Sequence, residues 1–501
     1  MNIIVILCDT LRRDHCGPYH HGRPLNEVYS PEAPAWTVPT PHMDALAARG
    51  VTFDNCFCGS TPCMPARRDI YTGRYEFLER GWGPLEEDDI DLPRLVSGPP
   101  NQSMEVMKKH GHTVSELITD HFHLWEQGAG NYHMGYTGFE FIRGCEADNY
   151  RTDPVDFFIP EADRLYKIER HWRNRHFTQT NSDETFTART FKAAAGWIEH
   201  NHSHKDFYLH VDCFNPHEPL DPPEEYVKLF DPNGYSVPGW QSVWPYDLWK
   251  GKLTPEQFTS VRARYAAKVV EVDRWLGHFM NAMDRLDLWK NTMVMLTTDH
   301  GTFNGDHGRT GKLQTHEFDA VGHIPFICAH PTARGRQSQL VQLVDIFPTV
   351  LAAAGKNIPK HIHGVNLMPL FDDAAAKTRP YAVMGQFGKS VSITDGQWIL
   401  HQSPVAGNKP LNWYGYSLAK FLHCDLGEFK DGKRPVLNER SWDTPTWLSD
   451  KTTDMSETVD LAEKEPQRLA AMQRALADFI RSLDLRGDAA REQCERLGIT
   501  R

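Results

Sequence analysis

The 501-residue sequence has no apolar run approaching the roughly 18 residues that a membrane span requires, so no membrane partner is expected. It also has no surplus of basic charge. Its 54 lysines and arginines stand against 66 aspartates and glutamates, a formal net charge of −12. So acidic a chain carries no electrostatic footprint for nucleic acid, and an anionic ligand would need a local positive site, from a metal or from clustered Arg, Lys and His. The ten cysteines are too sparse and irregular for a disulfide framework. Cys56, Cys58 and Cys63 do cluster, but no paired C-x2-C follows them, so a zinc site is not expected. Repeats and low-complexity tracts are absent. The opening MNIIVILCDT lacks the basic n-region and small-residue cleavage site of a signal peptide. A cytoplasmic location is the expectation, or a periplasmic one had an export signal been removed.

What is present is an alternation of short apolar runs with helix-like segments. Residues 3–10, 206–219, 292–301 and 324–330 read as strands that end in polar residues. Residues 41–53 read as a helix closed by Gly50, 258–288 as a long amphipathic helix, and 340–355 as a helix capped by Gly355. Chain length and this alternation indicate an α/β domain over residues 1–375, with a large, mostly parallel central sheet flanked by helices. A polar stretch at 372–380 precedes short antiparallel strands with a turn at Asp395 and Gly396, then an amphipathic helix over 466–483. Residues 376–501 therefore read as a smaller C-terminal α+β domain with a short antiparallel sheet and a terminal helix.

In such sheets ligands bind at the carboxyl ends of the strands. Asp9, His217, Asp299 and His300 close or shortly follow apolar runs, so the topology can bring them to one spot. Their oxygen and imidazole donors suit a hard or borderline divalent cation. Taken singly, Asp9 reads more simply as a helix cap and Asp299-His300-Gly301 as a turn. The segment CGSTPCMPARRDIYTGRY at 58–75 adds a cysteine among basic residues. Its Cys63 could be a nucleophile, a metal ligand, half of a disulfide or an ordinary loop residue.

Within that segment CMPAR at 63–67 fits C-x-P-x-R, and TGR follows at 72–74. The pair resembles the signature of the type I, formylglycine-dependent sulfatases of the alkaline phosphatase superfamily. PHMDALAARGVTFDNCF before it, NPHEPLDPPEEY at 215–226, TTDHGTFNGDHGRTGK at 297–312 and LSDKTTDMSETVDLA at 448–462 are similar to further elements of that family. The resemblance implies that a separate formylglycine-generating enzyme oxidises Cys63 to an aldehyde, whose hydrate is the nucleophile. One hydroxyl attacks sulfur, and the other then loses a proton and expels sulfate. It implies one divalent metal, Ca²⁺ or Mn²⁺, held by Asp9, Cys63, Asp299 and His300. Arg67 and Lys312 supply fixed positive charge, His217 protonates the leaving oxygen, and His123 accepts the proton of the second hydroxyl. The implied activity is hydrolysis of an aryl or sugar sulfate. The Trp- and Arg-containing segment 171–177, HWRNRHF, is compatible with either.

Two departures qualify the likeness. Many sulfatases present adjacent aspartates where this chain has Asp9 and Thr10. That feature, with the loop STPCMPAR, is similar to the phosphonate monoester hydrolase and phosphodiesterase branch, which supplies the alternative activity. At 120–124, DHFHL replaces a G-K-x-H-x-G segment, and alignment sets His121 on the lysine and His123 on the histidine. A non-catalytic binder of anionic ligands is the third reading, opposed by the intact residue set. Arg68 reads as a solvated neighbour of Arg67, His307 as a residue supporting the site's ligands or a turn residue, and Cys8, Cys213, Trp125 and Tyr132 as packing residues. A homodimer is the base-rate expectation for assembly.

Overall fold

The computed structural model describes the chain except for residues 100–101, 127–128, 167, 245, 313, 374, 410, 417–424, 427–433, 438–443 and 500–501. In chain order, the strands of its two larger sheets are β1 (Asn2–Cys8), β2 (Gly50–Phe57), β3 (Ser60–Thr61), β4 (Val114–Thr119), β5 (Gly138–Phe141), β6 (Phe207–Cys213), β7 (Thr292–Thr297), β8 (Phe326–Ala329), β9 (Gly335–Gln342), β10 (Ala382–Gln386), β11 (Val391–Thr394), β12 (Trp398–Gln402) and β13 (Trp447–Asp450). The helices that pack on them include α1 (Pro41–Ala48), α2 (Cys63–Thr72), α3 (Glu169–Thr178), α4 (Phe186–Asn201), α5 (Pro255–Arg285), α6 (Ile346–Ala353) and α7 (Pro466–Ser482).

The main sheet has eight strands in the order β9-β2-β8-β7-β1-β6-β4-β5. All run one way except β8, which is antiparallel to both β2 and β7. β1 lies near the centre and is buried along its whole length, so it reads as a continuous apolar run. Its alternate residues serve two cores. Ile4, Ile6 and Cys8 pack on one face with Phe191 of α4 and Val269 and Leu276 of α5. Ile3, Val5 and Leu7 pack on the other with Met64 and Ile70 of α2 and Phe347 of α6. Each such aliphatic side chain contributes about 1.5–3 kcal/mol on full burial. α5 is started by a capping box at Thr254 and Gln257 with Pro255 at the first helical position.

Strand register then places the chemistry. Leu7 of β1 pairs with Thr297 of β7 on one side and Asp212 of β6 on the other. Asp9 and Asp299 each lie two residues beyond that level, so they leave the sheet side by side.

The second sheet has the order β13-β12-β11-β10-β3. α7 covers it with Met472, Leu476 and Ile480 against Ile393, Leu400 and Leu448. Its last strand, β3, comes from residues 60–61 and runs parallel to β10, with Ser60 opposite Gly385 and Thr61 opposite Gln386. The segment just before Cys63 is thus part of the smaller sheet.

Three local expectations are corrected. Gly50 does not cap α1 but begins β2, where a Cβ would lie 1.9 Å from the Cys328 carbonyl oxygen of β8. Residues 340–342 end β9 instead of starting a helix, because pairing of Leu340, Val341 and Gln342 with Asn55, Cys56 and Phe57 outweighs local helical spacing. The run at 324–330 is a strand, but it is the reversed one. Among the described residues no helix is long and apolar enough to cross a membrane.

Candidate active site at the carboxyl ends of the strands

Asp9 follows β1, Asp299 and His300 follow β7, and Cys63 opens α2. One donor atom from each of these four buried residues lies within 4.8 Å of the others. Cys63 Sγ is 3.8 Å from Asp9 Oδ1 and 3.4 Å from His300 Nε2. His300 Nδ1 bonds the Gly301 carbonyl at 2.8 Å, which fixes Nδ1 as the protonated nitrogen and turns Nε2 toward the cluster. Asp9 Oδ2 is buried and meets no donor in hydrogen-bond geometry, its charge being faced by the Arg67 guanidinium at 3.0 Å. Two carboxylates, one imidazole and the atom at position 63 therefore fit a divalent metal.

The neighbouring residue Thr10 has φ of 66°, unusual for a β-branched side chain. Its amide donates to Asp299 Oδ1 at 2.9 Å and its hydroxyl to Asp9 Oδ1 at 2.6 Å. Thr10 thus orients both aspartates at the position where a second carboxylate was expected.

Arg67 lies one helical turn after Cys63, with its Nη1 3.0 Å from Asp9 Oδ2, 2.9 Å from Asp299 Oδ2 and 3.2 Å from the Cys63 carbonyl oxygen. Its Nε and Nη2 donate to the two oxygens of Asp212, both at 2.7 Å. Burial works against the guanidinium charge, but Asp212, Asp9 and Asp299 outweigh it and raise its pKa well above the ordinary value. Lys312 reaches in from a hairpin, with Nζ 3.4 Å from Cys63 Sγ and 3.3 Å from Thr10 Oγ1. Burial, then Asp9, push the Cys63 thiol well above its usual pKa.

The histidines divide. His121 Nε2 is 3.3 Å from Asp9 Oδ2, and burial, followed by Arg67, lowers its pKa well below the ordinary value. The position aligned with a lysine is therefore a neutral ring. His217 packs on Phe214 and gives Nδ1 to the Glu218 carbonyl at 2.6 Å. Burial and then Lys312 hold it neutral as well. His123 is 2.6 Å from Glu126 and 3.4 Å from Glu146. Burial opposes its charge, yet the two carboxylates raise it to about 9.

A family model described as sulfatase matches residues 1–356, from β1 through both carboxylate-bearing strand ends and Lys312. The chain belongs to the sulfatase family. Arylsulfatase K of Rattus norvegicus is 26% identical over 376 residues, covering 69% of this chain and 61% of the relative. The match thus spans less than two thirds of that relative's length. An arylsulfatase of Clostridium perfringens is 23% identical over 412 residues, covering 76% of this chain and 80% of that protein. A phosphonate monoester hydrolase from Silicibacter pomeroyi shares the fold, with a TM-score of 0.64 and 18% identity over 96% of this chain and 95% of its own.

Sequence reasoning missed Asp212. It stands inside the buried run FYLHVDC, where a lone acid in an apolar strand was the available signal. Arg68 is not solvated: it is fully buried and donates to the carbonyls of Gly81 and Gly83 at 3.0 and 2.6 Å. His307 stacks on Phe318 at 3.8 Å, and Trp125 on Phe141 at 4.3 Å. The nine described cysteines are unbridged, and Cys424 lies outside the described residues. Trp172, Arg175 and His176 line a cleft of about 410 Å³ with Phe158 and Pro223.

Proposed function

We propose that this sulfatase-family chain hydrolyses sulfate monoesters, aryl or sugar, using residue 63 as the nucleophile position. The observation that carries this reading is the placement of Cys63 Sγ within 3.8 Å of Asp9, His300 and Lys312 at once. Asp9, Asp299, His300 and residue 63 would hold the divalent cation, Ca²⁺ or Mn²⁺, whose Lewis acidity polarises the ester and activates a hydroxyl. Formylglycine at 63, made by a maturation enzyme, would supply that hydroxyl as the aldehyde hydrate.

The chain's own side chains do the rest. Arg67 Nη1 and Lys312 Nζ hold positive charge beside the reacting group, already oriented before an ester arrives. Burial, then Lys312, keep the His217 ring neutral with its proton on Nδ1; the charge of an anionic ester would favour a second proton at Nε2, which then passes to the leaving oxygen. His123, charged between two carboxylates, suits the proton-accepting role poorly and serves as a fixed cation. A phosphonate monoester or phosphodiester is the alternative substrate, favoured by one observation: Thr10, not a second carboxylate, flanks Asp9.

The test is 4-nitrophenyl sulfate turnover together with hydrazide labelling of the peptide containing residue 63, in protein from the native host. Turnover, aldehyde capture at residue 63 and loss of both in Cys63→Ala are expected. An unmodified thiol, with wild-type and Cys63→Ala equally active, overturns the reading. A higher kcat/KM for a phosphonate monoester than for the sulfate would move it to the alternative.

A further inference from the structure

His217 stands in NPHEPLDPP at 215–223, a segment after β6 that forms neither helix nor strand. The contacts that orient its ring are local. Its amide bonds the Phe214 carbonyl at 3.0 Å, the ring packs on Phe214, and Nδ1 gives to the Glu218 carbonyl. Nε2 is left for an ester, and its position is set by the segment as a whole. Four of these nine residues are prolines, which have no N–H to give, so the segment has few means of tying itself down.

The ties come from two helices. On α5, Lys268 Nζ donates to the carbonyl oxygens of His217 at 2.9 Å and Pro219 at 2.5 Å. One turn along, Glu271 accepts from Asn215 Nδ2 at 3.1 Å. Both side chains are buried. The Asp221 carboxylate, with Oδ1 3.6 Å from Nζ, supplies the counter-charge. Asp221 is itself held from α3, by His171 at 2.9 Å and Arg175 at 3.2 Å. A buried ion pair adds little to net stability. Its charge-assisted bonds to two carbonyls two residues apart do, however, fix one conformation of the turn.

We propose that Lys268 is the positioning residue of His217: by clamping the His217 and Pro219 carbonyls to α5 it sets Nε2 at the leaving oxygen of the ester. Among the described residues its hydrogen bonds all go to this segment. Asp9, Cys63, Asp299 and His300 stand instead after β1, at the start of α2 and after β7, so metal binding and residue 63 do not depend on it. The proposal rests on the reading of His217 as proton carrier under the proposed function.

The test compares mature full-length wild type, Lys268→Met, His217→Gln and the double variant. The readouts are kcat on phenyl sulfate and on 4-nitrophenyl sulfate at pH 7, Mn²⁺ affinity by calorimetry, and aldehyde capture at residue 63. 4-Nitrophenolate is a far weaker base than phenolate and leaves without a proton. Lys268→Met is expected to lower kcat about 10–100-fold on phenyl sulfate and less than about threefold on 4-nitrophenyl sulfate, with Mn²⁺ affinity and aldehyde capture unchanged. Added to His217→Gln, it should cost nothing further on phenyl sulfate. Equal losses on both esters, or losses that add fully to those of His217→Gln, would make Lys268 merely structural and overturn the proposal. If Lys268→Met does not fold, Lys268→Gln, which keeps a donor but no charge, must show the same tilt, and an even loss overturns it. His217→Gln without a tilt removes the proton-carrying role and the Lys268 proposal with it. Wild type inactive on both sulfates would sink the proposed function instead. The phenyl and 4-nitrophenyl esters of methylphosphonate would then supply the ratio.

Discussion

Thr10 shows how much of the site is set by single side chains. A left-handed β-branched residue costs about 1–3 kcal/mol, and here Tyr265 and Asp299 fix it by bonding its carbonyl and its amide. The strain aims its hydroxyl at Asp9. Thr10→Ala should keep the backbone bonds and lose this aim, lowering Mn²⁺ affinity or kcat/KM about 10–100-fold, as calorimetry and steady-state kinetics would show. His217 is testable by its leaving-group dependence. His217→Gln should cost about 10²–10⁴-fold in kcat on a sugar sulfate, whose alkoxide needs a proton, and far less on 4-nitrophenyl sulfate. An equal loss on both would remove the proton-carrying role. Thr10 could be read from the sequence as a missing carboxylate, but its hydrogen bonds could not, because they depend on a backbone angle.

Elements explain why some of the architecture was readable beforehand and some not. β1, β6 and β7 announced themselves as apolar runs ending in polar residues, and their parallel course followed from the intervening helices. β8 is equally apolar, but composition carries no sign of strand direction. Asp212 was hidden for a related reason: pairing across strands, not its neighbours in sequence, sets it against Arg67. α2 is tied to β3 before it and to the turn after it by Asp69, which accepts from Ser60 Oγ, Ser60 N and Glu76 N at 2.6, 2.7 and 3.1 Å. Asp69→Ala strands these buried donors. A loss of about 2–3 kcal/mol in urea denaturation is expected, along with a fall in activity as Cys63 shifts.

At the scale of the whole molecule, buried ion pairs join the two sheets. Lys451, after β13, bonds Asp319 and Glu457, and Glu457 also meets His401 of β12. Burial alone would raise Asp319 and Glu457, but Lys451 foremost outweighs it and lowers both. Lowered carboxylates contribute stability that is full above the unfolded range near pH 4 and is lost as the pH falls from there to their lowered folded values. Wild type should therefore exceed Lys451→Met in Tm at pH 7, with the gap shrinking below about pH 4 in calorimetric scans.

The pairing of β3 with β10 also has a meaning in time. Cys63 is 2% exposed and Arg67 wholly buried, and the strand leading to them is locked by Gly385 and Gln386. Those partners leave the ribosome long after Thr61, an interval of tens of seconds at about 5–20 residues per second. Were Cys63 converted as proposed above, the converting enzyme would have to work within that interval or on an unfolded chain. Once the last strands dock, a molecule that missed conversion is sealed with its thiol in place.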